Sequence, residues 1–191
     1  MATIYPSMEE ILCDQMEKHT EGEQELLQIL QNLPDEYRVY FQPHLNFAHP
    51  DIIILHPQGG ALIIEVKDWN LSSYKYVIET SSKPKYEYLQ VKNEGTHLKT
   101  PFEQACDYKD ELFRMLYPEI SKEKTRLGER CRNVYGVIKT AVYFHKAKNE
   151  DVICLFGNRN IEKNNNIKNI KSIRPIGVGR INNSFAHRFL N

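Results

Sequence analysis

The segment from Asp51 to Trp69 constrains the fold of this chain more than any other stretch. It contains two apolar runs, Ile52–Leu55 and Ala61–Val66, and the turn-forming sequence HPQGG lies between them. Apolar runs of this length on either side of a Gly-Gly turn are typical of a β-hairpin, and such continuous apolarity indicates strands buried on both faces. We therefore predict a central hairpin that other elements cover on both sides.

Three ionisable residues nevertheless lie in or beside this apolar hairpin. Asp51 precedes the first strand, and Glu65 and Lys67 lie near the end of the second. Burying a charged group costs roughly several kcal/mol unless a partner compensates. A turn centred on Gln58–Gly59 places Asp51 opposite Val66, with Glu65 and Lys67 on either side and on one common face. We therefore expect the three charged groups to converge at the open end of the hairpin.

Two carboxylates and a lysine at this spacing favour divalent-metal chemistry. Hard cations such as Mg²⁺ prefer carboxylate and carbonyl oxygens, so the backbone carbonyl of Val66 could act beside Asp51 and Glu65. The ammonium group of Lys67 could help to form hydroxide from an attacking water or stabilise a charged transition state. An ion pair that merely closes the hairpin is the alternative that these residues leave open.

Helical and strand patterns surround the hairpin. Helices are predicted over Ser7–His19, in TEGEQELLQILQNLP, from Pro101 through Leu116 and in EISKEKTRLGERCR; strands are predicted in EYRVYFQPH, YKYVIE, KYEYLQV, YGVIKTAVYF and DVICLF. YKYVIE and KYEYLQV are predicted to form a second hairpin. This order of elements indicates an α/β domain in which helices flank a central mixed β-sheet.

The composition favours a soluble protein of the cytoplasm with one main domain. The chain has 191 residues, 41% of them hydrophobic, which is enough for a substantial core. No apolar run is long enough to cross a bilayer and the N-terminus lacks a signal-peptide pattern, so no membrane partner is expected. The cysteines have neither zinc-ligand nor disulfide-framework spacing and are expected to be reduced thiols; they are Cys13, Cys106, Cys131 and Cys154.

Charge is distributed unevenly although the net charge is zero. Residues 1–60 contain ten acidic and two basic side chains, whereas residues 158–191 contain seven basic side chains and one acidic. A basic tail of this kind could bind phosphate groups without sequence specificity; the candidate residues are Lys163, Lys168, Lys171 and Arg174. A solvated charge pattern with no binding role is the alternative.

The order Asp51, then Glu65-x-Lys67 at the end of the next strand, resembles the PD-(D/E)XK nuclease superfamily. Two further blocks, GEQELLQIL before the hairpin and PFEQACDYKDEL after it, make the region from Thr20 to Phe144 similar to the nuclease-related domain (NERD) family. The resemblance implies a restriction-endonuclease-like core. It also implies hydrolysis of phosphodiester bonds with Mg²⁺ or Mn²⁺, and we expect the nucleic acid to be DNA.

The resemblance also implies a role for each matching residue. Asp51 and Glu65 would be metal ligands together with the Val66 carbonyl, and Lys67 would be the catalytic lysine. Glu23 matches the helical acid of the family, which completes the metal site directly or through water. Because Thr20-x-x-Glu23 is also a capping box, Glu23 could instead satisfy the helix N-terminus, and both roles could coexist.

Gln104 and Tyr108 match a Gln-x-x-x-Tyr motif that supports catalysis or contacts DNA in some branches of the superfamily. One helical turn separates the two residues, so both side chains can reach the same site. We therefore expect Gln104 to act in catalysis and Tyr108 to contact nucleic acid. The alternative is that both are ordinary residues of an amphipathic helix.

Three segments are predicted along the chain. Residues 1–19 form an N-terminal helical extension, residues 20–146 form the nuclease-related core, and residues 147–191 contain the last strand and a basic Asn/Lys-rich segment. The rival function is a non-catalytic module that retains the fold and binds nucleic acid or protein. A third possibility is the N-terminal domain of a larger helicase-like protein, whose motor would lie on another chain or beyond Asn191, because Gly-x-x-x-x-Gly-Lys is absent.

Overall fold

The computed structural model describes residues 1–13, 19–79, 86–92, 94–126, 134–156 and 173–177. The helices are α1 (Met8–Cys13), α2 (Glu21–Leu30), α3 (Pro101–Arg126) and α4 (Asn149–Phe156). The strands are β1 (Thr3–Tyr5), β2 (Arg38–Phe41), β3 (Ile52–His56), β4 (Gly60–Lys67), β5 (Tyr74–Glu79), β6 (Tyr86–Val91), β7 (His97–Leu98), β8 (Ile138–Phe144) and β9 (Ile173–Gly177). Short 3₁₀ turns occupy Leu71–Ser73 and Val134–Val137.

A mixed sheet of six strands, in the order β1-β2-β3-β4-β8-β9, forms the centre of the fold. The pairs β2/β3 and β3/β4 are antiparallel, whereas β1/β2, β4/β8 and β8/β9 are parallel. The predicted second hairpin is confirmed: β5 and β6 pair antiparallel and form a separate small sheet with β7. The predicted α/β class, with a mixed sheet flanked by helices, is also confirmed.

Helices cover both faces of the sheet, which explains why the central hairpin is apolar throughout. On one face, Leu26 and Leu27 of α2 pack in one buried cluster with Leu62 and Ile64 of β4. On the other face, Leu112 of α3 packs in another cluster that includes Ile53, Ile63 and Ile138. Alternate residues of β4 therefore face α2 and α3, as the two-residue period of a strand requires.

The hairpin register differs by one residue from the predicted one. Ile52 pairs with Ile64 and His56 pairs with Gly60, so Asp51 continues the ladder opposite Glu65 rather than opposite Val66. The reason lies in the turn, where Gly60 closes the loop with a φ of +90° that favours glycine. Because directly opposite residues share a face, the shift places the two carboxyl groups side by side.

The prediction of a strand in DVICLF is wrong, because this sequence lies in α4. Its buried residues Val152 and Phe156 are four apart, which is a helical spacing. The first turn carries Glu150 and Asp151, and the Asp151 carboxylate accepts the Lys148 N–H at 3.2 Å. These acids favour a helix N-terminus, and they outweigh the short apolar run that suggested a strand.

The helix from Pro101 is longer than predicted and continues to Arg126, with Pro118 inside it. The start of EISKEKTRLGERCR is therefore its continuation rather than a separate helix, and residues 127–132 of that prediction lie outside the described part of the chain. Among the described helices, none combines the length and apolarity that a membrane crossing requires. Cys13, Cys106 and Cys154 are free thiols, and Cys131 lies outside the described residues.

Both ends of the chain add strands that the sequence did not predict. Within the segment predicted as a helical extension, β1 pairs with β2, and Ile4 and Ile11 are buried in the core. The N-terminal segment is therefore part of the sheet, although α1 is helical as expected. At the other end β9 pairs with β8, while residues 157–172 and 178–191 lie outside the described part of the chain.

Candidate active site

Glu65 and Lys67 lie on the α3-facing side of β4, at the edge of the sheet where this strand ends. Glu65 is almost completely buried, with 1% of its side chain exposed, and 16% of the Lys67 side chain is exposed. The Lys67 Nζ donates a hydrogen bond to Glu65 Oε1. The ammonium group also lies 5.4 Å from the centre of the Trp69 ring, which adds a favourable cation–π contact.

Asp51 completes a group of two carboxyls and one ammonium. Its Oδ2 accepts the backbone N–H of Val66 at 2.6 Å, and its carboxyl lies close enough to that of Glu65 for each to shift the pKa of the other. The pKa of Asp51 is raised to about 6 and that of Glu65 to about 7. Burial is the main cause of both shifts; the charge of Glu23 adds to the shift of Asp51 and that of Asp51 to the shift of Glu65, while Lys67 offsets part of each. The two carboxyls therefore compete for ionisation in the absence of a further cation.

Glu23 lies at the start of α2 and is linked to this group through Gln42. The predicted capping box is present, since Glu23 N donates to Thr20 Oγ1 at 3.2 Å and Thr20 N donates to Glu23 Oε2 at 2.6 Å. Gln42 Nε2 donates to Glu23 Oε1 at 3.0 Å, and Gln42 N donates to the Asp51 carbonyl at 2.8 Å. The negative charge of Glu23 also contributes to the raised pKa of Asp51, so a capping role and proximity to the site coexist.

Tyr108 of α3 lies near the same carboxyls, and Gln104 is hydrogen-bonded to it. Gln104 Nε2 donates a hydrogen bond to the Tyr108 hydroxyl at 2.7 Å, across one helical turn. Burial raises the pKa of Tyr108, and the charges of Glu65 and Asp51 raise it further. Gln104 and Tyr108 therefore lie in the same region as Asp51, Glu65 and Lys67, between the sheet and α3.

Some residues fall outside this arrangement or were missed by the sequence argument. Lys163, Lys168 and Lys171 lie outside the described residues, and Arg174 pairs with Ala141 through its backbone, with its side chain undescribed. Gln42 was missed, because a glutamine that follows a strand carries no sequence signal for two contacts with distant acids.

The oxygen atoms of this group provide some, but not all, of the ligands that a hard divalent cation requires. Among the described residues, no three His, Cys, Asp or Glu side chains converge to form a metal-binding set on their own. Glu65 Oε2, however, is buried without a hydrogen-bond partner in that part of the chain, and such an oxygen is costly unless a donor or cation meets it. Two carboxylates and the Val66 carbonyl are oxygen ligands of the type that Mg²⁺ accepts, with water or phosphate at its other positions.

A second ionisable group lies on the opposite, α2-facing side of the same sheet edge. We call it the α2-face cluster and define it as Glu25, Asp68 and His145. Asp68 Oδ2 accepts the backbone N–H of Gly22 at 3.1 Å, His145 Nδ1 lies 3.1 Å from Asp68 Oδ1, and His145 Nε2 lies 2.7 Å from Glu25 Oε2. A Cβ at Gly22 would lie 2.3 Å from Asp68 Oδ1 and 2.7 Å from His145 Cβ, so the cluster explains the glycine of the Gly-Glu pair.

The fold is an α/β domain with a mixed sheet, and the paired carboxyls and the lysine lie together at one edge of that sheet. The model of the family described as nuclease-related domain, NERD, matches residues 18–145. This range includes Asp51, Glu65 and Lys67 as well as the α2-face cluster. The chain belongs to the nuclease-related domain family. Comparison with curated proteins and comparison with solved structures gave no match.

Proposed function

We propose that this protein is a metal-dependent nuclease domain that hydrolyses phosphodiester bonds in DNA. The observation that carries the proposal is the buried pair Asp51 and Glu65, with raised pKa values and Lys67 beside it. Perturbed ionisable groups of this kind concentrate at functional sites, and membership of the nuclease-related family points to the same chemistry.

Asp51, Glu65 and the Val66 carbonyl would hold Mg²⁺ or Mn²⁺, and Glu23 would act directly or through water. When bound, the cation would supply Lewis-acid polarisation of the scissile phosphate. Lys67 would orient the attacking water and stabilise the negative charge that develops on the phosphate oxygens. Its hydrogen bond to Glu65 Oε1 fixes the position of the ammonium for this task.

Gln104 and Tyr108 would form the opposite wall of this site. Their mutual hydrogen bond at 2.7 Å fixes the orientation of both side chains. We assign Gln104 to positioning the catalytic group and Tyr108 to contacting the DNA. Lys163, Lys168, Lys171 and Arg174 would add sequence-independent contacts to phosphates, and a helicase-like partner or fused domain would supply any motor activity.

The proposal is tested by a nuclease assay on plasmid, linear duplex and single-stranded DNA, with Mg²⁺, Mn²⁺ or a chelator. We expect cleavage with either metal and none with the chelator. A matching set of RNA substrates tests the assignment to DNA. If the protein binds DNA and leaves every substrate intact with both metals, the non-catalytic binding module is the better description.

A further inference from the structure

A groove of about 410 Å³ opens beside the candidate active site and has no role in the hydrolysis proposed above. This volume lies within the range of about 300–1,000 Å³ that is usual for small-ligand sites. Its lining includes Tyr5, Glu10, Tyr40, Phe41, Gln42 and His44. The groove is therefore formed by the ends of β1 and β2, with a contribution from α1.

The groove and the carboxyl group share Gln42 as a common wall. This side chain lines the groove and donates to Glu23 Oε1 at 3.0 Å, while its backbone N–H donates to the Asp51 carbonyl at 2.8 Å. The strands β1 and β2 run parallel, and β2 ends where β3 begins beside Asp51. A molecule in the groove would therefore be a close neighbour of a molecule held at Asp51 and Glu65.

Two stacked tyrosines form an aromatic platform in the groove. The rings of Tyr5 and Tyr40 have centroids 5.1 Å apart and are inclined by 18°. Tyr5 remains 44% exposed, so ring surface is available for a further stacking partner. A flat ring system is a ligand that such a platform favours.

The charge of the lining argues against a phosphate in the groove itself. Its described residues include no lysine or arginine, and the carboxylate in the lining belongs to Glu10. Hydrogen bonds from the hydroxyl and backbone N–H of Ser7 lower the pKa of Glu10 and keep it ionised. A carboxylate repels phosphate but accepts hydrogen bonds from amino groups, and nucleobases carry such groups on their edges.

We propose that the groove binds an unpaired nucleobase of the strand whose phosphate lies at Asp51 and Glu65. The inference rests on the proposed nuclease function and names the form of the substrate: a single-stranded or unpaired segment. A base inside a duplex is stacked on its neighbours, so it can stack on Tyr5 only after it leaves the helix.

The test measures binding with Ca²⁺ in place of Mg²⁺, since Ca²⁺ also accepts carboxylate and phosphate oxygens, and the length of each strand is checked afterwards so that the comparison uses uncleaved DNA. The probes are a fluorescent single strand of DNA and an abasic strand of equal length, which has the same phosphates but no bases. Because one base stacked on an aromatic side chain typically contributes about tenfold in affinity, we expect the wild type to prefer the base-bearing strand by about that factor. Tyr5→Ala should abolish the preference and Tyr5→Phe should retain it.

Tyr117→Ala is the matched control, because Tyr117 of α3 has a similar exposure of 42% and does not line the groove. It should keep the wild-type preference. Equal affinity of the wild type for the two strands would overturn the inference, and so would an unchanged preference in Tyr5→Ala.

Photocrosslinking gives a second measurement that needs no variant. A strand that carries 5-iodouracil should crosslink to the wild type within residues 1–18 or 39–67, the tryptic peptides that contain Tyr5 and Tyr40. Crosslinks confined to the remaining peptides would overturn the inference. Metal-dependent cleavage without base preference would support the nuclease function and contradict the base site. Base preference without cleavage would support the base site and contradict the nuclease function.

Discussion

One edge of the sheet carries two groups of ionisable side chains, and the faces on which they lie give them different surroundings. Lys67 and Asp68 are neighbours in sequence, yet Lys67 joins Asp51 and Glu65 on the α3 side, while Asp68 joins the α2-face cluster. The carboxylates of the α2-face cluster lie beside a backbone N–H and an imidazole. The two carboxyls of the candidate active site have one lysine, one backbone N–H and each other as polar neighbours in the interactions described above.

The comparison teaches that the surroundings of the carboxyls, rather than the type of residue, distinguish the two groups. Asp68 lies at the N-terminus of α2, where the helix dipole and free N–H groups favour a negative charge. Asp51 and Glu65 have raised pKa values, and Glu65 Oε2 has no partner among the described residues. Asp68 Oδ1 and His145 Nδ1 also lack a hydrogen-bond partner among the described residues, but they lie 3.1 Å from each other. We expect Asp51 and Glu65, which share a single lysine, to be satisfied by a cation.

The largest expected effect is the loss of cleavage in Lys67→Ala. Removal of a group that stabilises transition-state charge typically lowers the rate by about a hundredfold or more. The control is Lys146→Ala, since Lys146 lies beside the α2-face cluster at the same sheet edge and pairs with Glu21 at 3.0 Å. Rates on one DNA substrate with Mg²⁺ and with Mn²⁺ should fall for Lys67→Ala and stay near wild type for Lys146→Ala.

Measuring DNA affinity distinguishes a catalytic role of Lys67 from a role in holding the DNA. DNA affinity should fall much less than the rate, because phosphate contacts are spread over many residues. Equal rates for wild type and Lys67→Ala would point to a contaminating nuclease and remove the difference between the two sides of the sheet edge.

The next largest effect concerns the fit of α2 against the sheet. Gly22→Ala would place a Cβ 2.3 Å from Asp68 Oδ1 and 2.7 Å from His145 Cβ, so α2 or the cluster must shift. Overpacking of this kind typically lowers the free energy of unfolding by about 2 kcal/mol. Gly136→Ala is the control, because a Cβ there has no neighbour within 4 Å in the described structure. Urea denaturation that gives the same stability for both variants would show that α2 does not depend on this close contact.

The sequence was sufficient to place the candidate site on the hairpin, because the two-residue period of a strand puts Glu65 and Lys67 on one face whatever the register. It was not sufficient to place Asp51 opposite Glu65, since the register depends on the conformation of Gly60 in the turn. The contacts of Gln42 and His145 join residues far apart in the chain, and no local pattern encodes such contacts.

The same limit applies to the fold. Strands β1 and β9 are short and lie at the two edges of the sheet, where pairing with a neighbour rather than local periodicity establishes the strand. The central strands β4 and β8 were predicted because burial on both faces gives them long apolar runs.

A smaller effect is expected for Asp51→Asn in a chelator. A raised pKa in the folded state means that the folded protein binds more protons than the unfolded chain, so stability falls as pH rises from the ordinary values of 3.8 and 4.5 to about 6 and 7. The asparagine oxygen can still accept the Val66 N–H, and its amide can donate to Glu65. We therefore expect this variant to exceed the wild type by about 1–2 kcal/mol at pH 8 and to lose the advantage near pH 4.

Mg²⁺ should reverse this order, because a ligand that binds only the folded state stabilises it. Thermal melts of the wild type and Asp51→Asn, with chelator and with Mg²⁺ at pH 8, check both halves of the prediction. A clear loss of stability for Asp51→Asn in the chelator would identify the group as a structural ion-pair clamp.

Asp68→Asn should have the smallest effect. It tests the comparison through the α2-face cluster rather than through the candidate active site. The asparagine oxygen can still accept the Gly22 N–H that Asp68 Oδ2 accepts at 3.1 Å. The variant loses the negative charge beside His145 and at the N-terminus of α2, and such a charge is typically worth about 0.3–1 kcal/mol. At pH 8 in the chelator, Asp68→Asn should therefore be slightly less stable than the wild type, whereas Asp51→Asn should be more stable, and Mg²⁺ should not change the deficit. If Asp68→Asn also gains stability, its carboxylate is as poorly satisfied as the one at Asp51, and the two sides of the sheet edge do not differ in the way proposed.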